Sequence, residues 1–240
     1  MGVAGRKPNA SFFSARMAIP TRFFSFTDSC RLIASRFPSV GILDSVASPE
    51  DLQAIFELEA WTNDRISAEL GILNRIPTNQ WVTGRPGSTV IMAAFCHPRP
   101  DGARFNDSKR GAWYAADTVD GAHAEIVYHR TREFEEIGVF DSRAQYRLYL
   151  ADFSAEFHEL SATDPAHKPY MDPNSYVQSQ SLASQLVGQG SNGIVYPSVR
   201  KPGATCVACF MPPLVQKVRQ SHHFEYQWHG SRTPTIKRID

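Results

Sequence analysis

Gly102-Ala103-Arg104-Phe105-Asn106, then Ala112-Trp113-Tyr114-Ala115-Ala116, then Ala124-Glu125, reads as a loop, a short strand and a helix in succession. The turn is Pro98 to Gly102, and Asp117 is expected to cap the helix. The buried side of that helix would carry Val119, Ala122, Ile126 and Phe134. An arginine, an aromatic and a carboxylate thus stand at the joints of one loop–strand–helix unit. Small residues surround Glu125, so a carboxylate pointed inward there needs a partner. The alternative is a solvated pair with His129 one turn on.

Working outward, Arg31-Leu32-Ile33-Ala34 reads as a first strand ended by Phe37-Pro38. Ser48-Pro49-Glu50-Asp51 carries helix-start signals, and Leu52, Ile55 and Phe56 follow at helical spacing. A second helical stretch runs from Asn63 to Leu73, so residues of about 48–80 read as a helical insertion. The continuous apolar run from Ser88 to Phe95 is expected to be a buried strand. Tyr146, Leu148 and Leu150 alternate as a strand does, and Asp164 to Asn174 reads as a loop. Ser175 to Val187 reads as a helix. Ile194 to Val199 and Thr205 to Met211 read as strands joined by Lys201-Pro202-Gly203. The aromatic, basic stretch from His222 to Ile239 fits no single pattern. The mixture predicts an α+β fold.

The chain has 240 residues, 42% apolar and 20% charged, with a formal net charge of +1. One domain with additions suits that length. The balanced charge gives no reason to expect direct nucleic-acid binding, and no apolar run is long enough for a membrane span. Four cysteines do not make a disulfide scaffold at this size, which fits a cytoplasmic protein. Residues 1–27 hold Arg6, Lys7, Arg16 and Arg22 and no acid. We read them as a disordered basic tail, and their composition also resembles an organellar transit peptide.

Two motifs point elsewhere and fail on context. Gly188-Gln189-Gly190-Ser191-Asn192-Gly193 matches G-x-G-x-x-G, but a helix precedes the glycines and a strand follows, the reverse of a dinucleotide loop. His123-Ala124-Glu125 with Cys206-Val207-Ala208-Cys209 approaches a zinc deaminase signature, but Thr205 replaces the proline and cysteines three apart on a strand face opposite ways. No metal site is expected. Ser198 follows a proline in an apolar strand, without the G-x-S-x-G elbow of a hydrolase. The fork of Arg104 suits phosphate oxygens if it points into a cleft.

As an ordered set these residues resemble the RES domain, a family named for an arginine, a glutamate and a serine. The matching segments are Arg31-Leu32-Ile33, Gly84 to His97, Gly102 to His129 and Tyr176 to Pro212, so a RES-like domain is expected over 28–240. Glu125 is the only glutamate between Gly102 and His129. The resemblance implies an ADP-ribosyltransferase-like mixed β core with flanking helices. It implies a toxin of a bacterial toxin–antitoxin pair that consumes NAD as substrate, by phosphorolysis with inorganic phosphate or by hydrolysis. Protein ADP-ribosylation and a non-catalytic interaction module are the alternatives. No helper cofactor is implied. The implied partner is an antitoxin with an Xre-like helix-turn-helix, and a homo-oligomer is compatible. The catalytic set falls on Glu125, Arg104 and Ser198, and substrate binding on Arg31, Tyr114, Arg104 and Ser198. Arg36, Arg75 and Arg85 compete with Arg31 for the first family arginine.

Overall fold

The computed structural model describes residues 19–36, 42–44, 48, 73 and 75–239. They form one mixed sheet of seven strands: β1 (Thr21–Ala34), β2 (Trp113–Ala116), β3 (Asp141–Glu159), β4 (Gly193–Pro197), β5 (Thr205–Cys209), β6 (Gln216–His229) and β7 (Thr235–Arg238). Three α-helices are described, α1 (Ser88–Cys96), α2 (Val119–Ile137) and α3 (Val177–Gly188). The class is α+β, as expected.

The strand order is β1-β2-β5-β4-β3-β6-β7, and β1 also pairs with β3. The neighbours β3, β1, β2, β5 and β4 therefore close on themselves. β3 organises the sheet because it is long and alternates well. Phe153, Ala155 and Phe157 are buried on one face, while Ser154 and Glu156 are exposed. β1 runs antiparallel along β3 from Thr21 opposite His158 to Ala34 opposite Tyr146, with an irregularity between Phe26 and Ser29. β6 lies antiparallel on the other edge of β3, and β4 joins the end of β3 in parallel.

Two of three buried clusters occupy the two faces, and the third gathers Phe134 of α2 with Tyr146, Tyr226 and Trp228. Trp113, Phe153, Phe157, Val195, Val207 and Cys209 pack with α1 on one. Cys30, Ala116, Leu148, Ile194, Tyr196 and Cys206 pack with α3 and the start of α2 on the other. Alternation along β5 sends Cys206 and Cys209 into different cores, as the period of two requires.

Several elements differ from the sequence expectations. The run from Ser88 is a helix rather than a strand. Its Val90, Ile91, Met92, Phe95 and Cys96 are all buried, so no polar face marks the helical period. Its N-terminus is held from a distance: the Asp44 carboxylate accepts hydrogen bonds from Gly87 N at 2.6 Å and Thr89 N at 3.3 Å. α2 is capped by Thr118, not Asp117; the Thr118 Oγ1 accepts from Gly121 N at 3.2 Å. The loop expected over 164–174 contains a 3-10 helix, Pro165–Met171, capped by Asp164. The C-terminal stretch is the end of β6 followed by β7. β1 begins at Thr21, inside the stretch expected to be a tail. The insertion expected over 48–80 falls largely outside the described residues, and Thr78–Gln80 at its end is a 3-10 turn.

Candidate active site

A cavity of about 570 Å³ opens on the face covered by α2. That lies within the usual range for a small-molecule site. Its lining includes Arg31, Arg104, Tyr114, Glu125, His129, Tyr176 and Tyr196. Residues 122–136 of α2 contribute Ala122, Glu125, Ile126, His129, Arg132, Glu133 and Glu136, one face of the helix. At ~1.5 Å per residue that face extends about 21 Å, long enough for an extended dinucleotide. α2 sits close against β2 because Gly121 leaves room: a Cβ there would come within 2.9 Å of the Ala116 Cβ.

Arg104 is carried by a tight loop. Ala103 N donates to Asn106 O at 2.9 Å, and Gly102 turns the chain at φ +70. A side chain at Gly102 would meet Asn106 O at 2.1 Å, so only glycine fits. The Tyr114 phenol clamps this loop. It accepts from Phe105 N at 2.9 Å and donates to Asn106 Oδ1 at 2.9 Å. Burial pushes its pKa well above the ordinary value. The Arg104 guanidinium, in turn, donates to Asp172 O at 2.8 Å and lies 4.7 Å from the centre of the Tyr176 ring. Arg104 is 6% exposed.

Arg31 enters through a gap in the sheet. β1 and β2 pair only at Cys30 opposite Ala116. Beside that rung the Arg31 side chain donates to Tyr114 O at 3.0 Å, taking the place of a ladder hydrogen bond. Its Cζ is 4.8 Å from the centre of the Trp113 ring, and burial lowers its pKa to about 10. Its Nε is buried without a hydrogen-bond partner. Among the rival arginines, Arg85 instead binds Gln216 and Val215 O, and neither it nor Arg36 or Arg75 is part of the cavity wall.

Glu125 reaches the cavity from the second turn of α2, its side chain 33% exposed. Burial raises its pKa, and the charges of Arg200 and Arg104 offset part of the rise. Its Oε2 is 3.7 Å from His129 Nε2. That contact is not an ion pair at neutral pH, because burial and then the arginines Arg99, Arg200, Arg132 and Arg104 hold the His129 pKa down at about 4.

Ser198 does not line this cavity. Its hydroxyl accepts from Arg200 N at 3.2 Å and Lys201 N at 3.1 Å. The structure therefore brings Arg31, Arg104, Tyr114 and Glu125 together and leaves Ser198 outside that cavity, on the wall of a second one with Pro197 and Val199. Sequence reasoning missed Tyr176, Tyr196 and Arg200. The last two stand in Tyr196-Pro197-Ser198-Val199-Arg200, where period two from Ser198 would have picked out Tyr196. No cluster of three or more His, Cys, Asp or Glu suited to a metal occurs among the described residues. No described helix is long and apolar enough to cross a membrane.

The RES domain model matches residues 72–229. The chain belongs to the RES domain family. It is 27% identical over 216 residues to the uncharacterized protein y4oC of Sinorhizobium fredii (strain NBRC 101917 / NGR234), covering 88% of this chain and 86% of that protein. A solved structure, the M. tuberculosis MbcT-MbcA toxin-antitoxin complex, aligns over 53% of this chain and 73% of the matched chain, with 15% identity and a TM-score of 0.39.

Proposed function

We propose that this protein is a RES-type toxin that cleaves the nicotinamide–ribose bond of NAD. The observation that carries the reading is Glu125: a half-buried carboxylate on the wall of a cavity that also presents four arginines, Arg31 and Arg104 among them, and three tyrosines. When the C1–N bond breaks, its electron pair leaves with the ring nitrogen and nicotinamide departs neutral. The ribose carbon becomes cationic, and no strong acid is needed. A fixed negative charge beside it lowers the barrier, and Glu125 supplies that charge while accepting a ribose hydroxyl.

Arg31 and Arg104 hold the pyrophosphate or an incoming phosphate. The Arg31 guanidinium lines the cavity and has donors besides the one given to Tyr114 O. Arg104 exchanges its carbonyl partners for substrate or shares its remaining donors. Tyr114, its hydroxyl engaged by the 102–106 loop, offers its ring as a wall for nicotinamide or ribose. An acceptor oxygen, from phosphate or water, then bonds to the ribose carbon and releases its proton to solvent. Phosphate gives ADP-ribose 1″-phosphate, and water gives ADP-ribose. We read the sheet and its flanking helices as an ADP-ribosyltransferase-like core. The setting that goes with this chemistry is the cytoplasm, with an Xre-like antitoxin that covers the cavity.

The test is to incubate pure protein with labelled NAD, with and without phosphate, and to identify the products by chromatography and mass. Free nicotinamide with ADP-ribose or its 1″-phosphate is the expected result. Label retained on protein would favour ADP-ribosylation of a macromolecule. NAD left intact under both conditions would overturn the enzymatic reading in favour of an interaction module.

A further inference from the structure

Glu125 must stay a carboxylate in a site that disfavours charge, and a buried acid without a nearby cation takes up a proton instead. Arg104 faces it from the loop before β2 but is already bonded to Asp172 O and stacked on Tyr176. A second guanidinium reaches the same helix, over the ring of Tyr128. Arg200 follows β4, in the turn between the last strand residue and Gly203. The Ser198 hydroxyl closes that turn by accepting from the amides of Arg200 and Lys201. The side chain then lies flat on α2, its Cζ 3.3 Å from the centre of the Tyr128 ring. Tyr128 is three residues after Glu125, on the neighbouring turn and the same side of the helix. Arg200 Nη2 donates to Pro173 O at 2.6 Å, and the Tyr128 hydroxyl donates to the same carbonyl at 3.1 Å. The Arg200 Nε is buried with no hydrogen-bond partner.

We infer that Arg200 is a positioning residue, the cation that holds Glu125 as a carboxylate, and that Ser198 acts through it rather than on the substrate. This accounts for Ser198 standing outside the cavity. It rests on the reading of Glu125 as the working acid. The groups that face Glu125 are His129 from α2, Arg104 from the loop before β2, Tyr196 from β4, Cys206 from β5 and Arg200 from the turn. Burial keeps the Cys206 thiol protonated by lifting it to about 12, raises Tyr196 well above its ordinary value, and leaves His129 neutral. The only cations in the set at neutral pH are the two arginines. Of the charges that offset burial at Glu125, Arg200 contributes the most.

The experiment is a carbon-detected NMR titration of the Glu125 carboxyl, assigned by its loss in Glu125→Gln. It compares wild type, Arg200→Gln, Arg200→Met, Arg200→Lys and Ser198→Ala. Both neutral variants should raise the Glu125 midpoint by about one pH unit or more, the size expected for losing a close opposite charge. Arg200→Lys should restore most of it, and Ser198→Ala should shift it in the same direction by less. Arg200→Met keeps the packing of the stem and serves if the glutamine variant does not fold. An unchanged midpoint in whichever neutral variant folds overturns the inference, because lost packing alone does not remove a cation. An Arg200→Lys midpoint as high as that of the neutral variants also overturns it. The titration needs no substrate. Full NAD turnover by Glu125→Gln would remove the reading of Glu125 while leaving the electrostatic result standing.

Discussion

Glu125 is held in a site that works against its folding role. Its pKa is raised in the folded chain, so the folded state binds the proton more tightly than the unfolded one, whose value is about 4.3. Stability from this group is fully present below the unfolded value and falls as pH rises through the folded one. Glu125→Gln should therefore melt higher than wild type at pH 7.5, and thermal melts should show the gap closing by about pH 4. On the proposed mechanism the carboxylate is the working form, so activity should have the opposite dependence: kcat/KM should fall on acidification, starting above the ordinary glutamate range. His129 adds no limb near neutrality, with a pKa pressed down to about 4. Its linkage runs the other way. Its contribution to stability is present above about pH 6.5 and is lost as pH falls towards its folded value. Where these residues sit was partly legible in the sequence. Glu125 and Arg104 announced themselves by residue type beside small or turn residues. Arg200 did not, because its contact is with a helix residue 72 positions earlier, Tyr128.

At the scale of elements, short loops carry the site and distant side chains fix them. Tyr114→Phe keeps the ring and removes the hydroxyl, leaving Phe105 N and the Asn106 amide oxygen without their partner. The cost should be about 1–3 kcal/mol in urea unfolding, with KM for NAD rising as the Arg104 loop loosens. α1 shows the same dependence. Asp44→Ala removes a carboxylate that accepts from two amides at the helix start, and should cost about 1 kcal/mol by the same measurement. That long-range cap explains why Ser88 to Phe95 reads as a strand from sequence alone. Locally the stretch is a featureless apolar run, and the signal that starts the helix lies more than 40 residues upstream. By contrast β4, β5 and α3 were legible, because each carries its own period and its own turn residues. The end of β6 with β7 was not read as such: Phe224, Tyr226 and Trp228 do alternate onto one face, but the edge strand β7 is wholly exposed and shows no period.

For the whole molecule, the closed circuit of strands makes the N-terminal strand indispensable. The half of β1 from Thr21 to Phe26 pairs with residues 153–158 of β3 and sets Phe24 and Phe26 against the same core as Phe153 and Phe157. A chain begun at residue 28, the boundary that composition suggests, should lose cooperative unfolding or aggregate, as scattering and circular dichroism would show. One begun at Ile19 keeps the strand. The basic composition of the first 27 residues hid this, because strand pairing with β3 outweighs local polarity once Phe24 and Phe26 have a core to enter. The same closure brings Arg31 on β1, Arg104 before β2, Glu125 on α2 and Tyr196 on β4 around one cavity. The central claim is that this convergence exists to break one glycosidic bond of NAD. The most direct measurement is nicotinamide release from NAD by folded wild-type protein and by folded Glu125→Gln at the same concentration. The account predicts release by the wild type and a rate about two to three powers of ten lower in the variant. Equal rates, or a wild type that leaves NAD untouched with phosphate present, would contradict it.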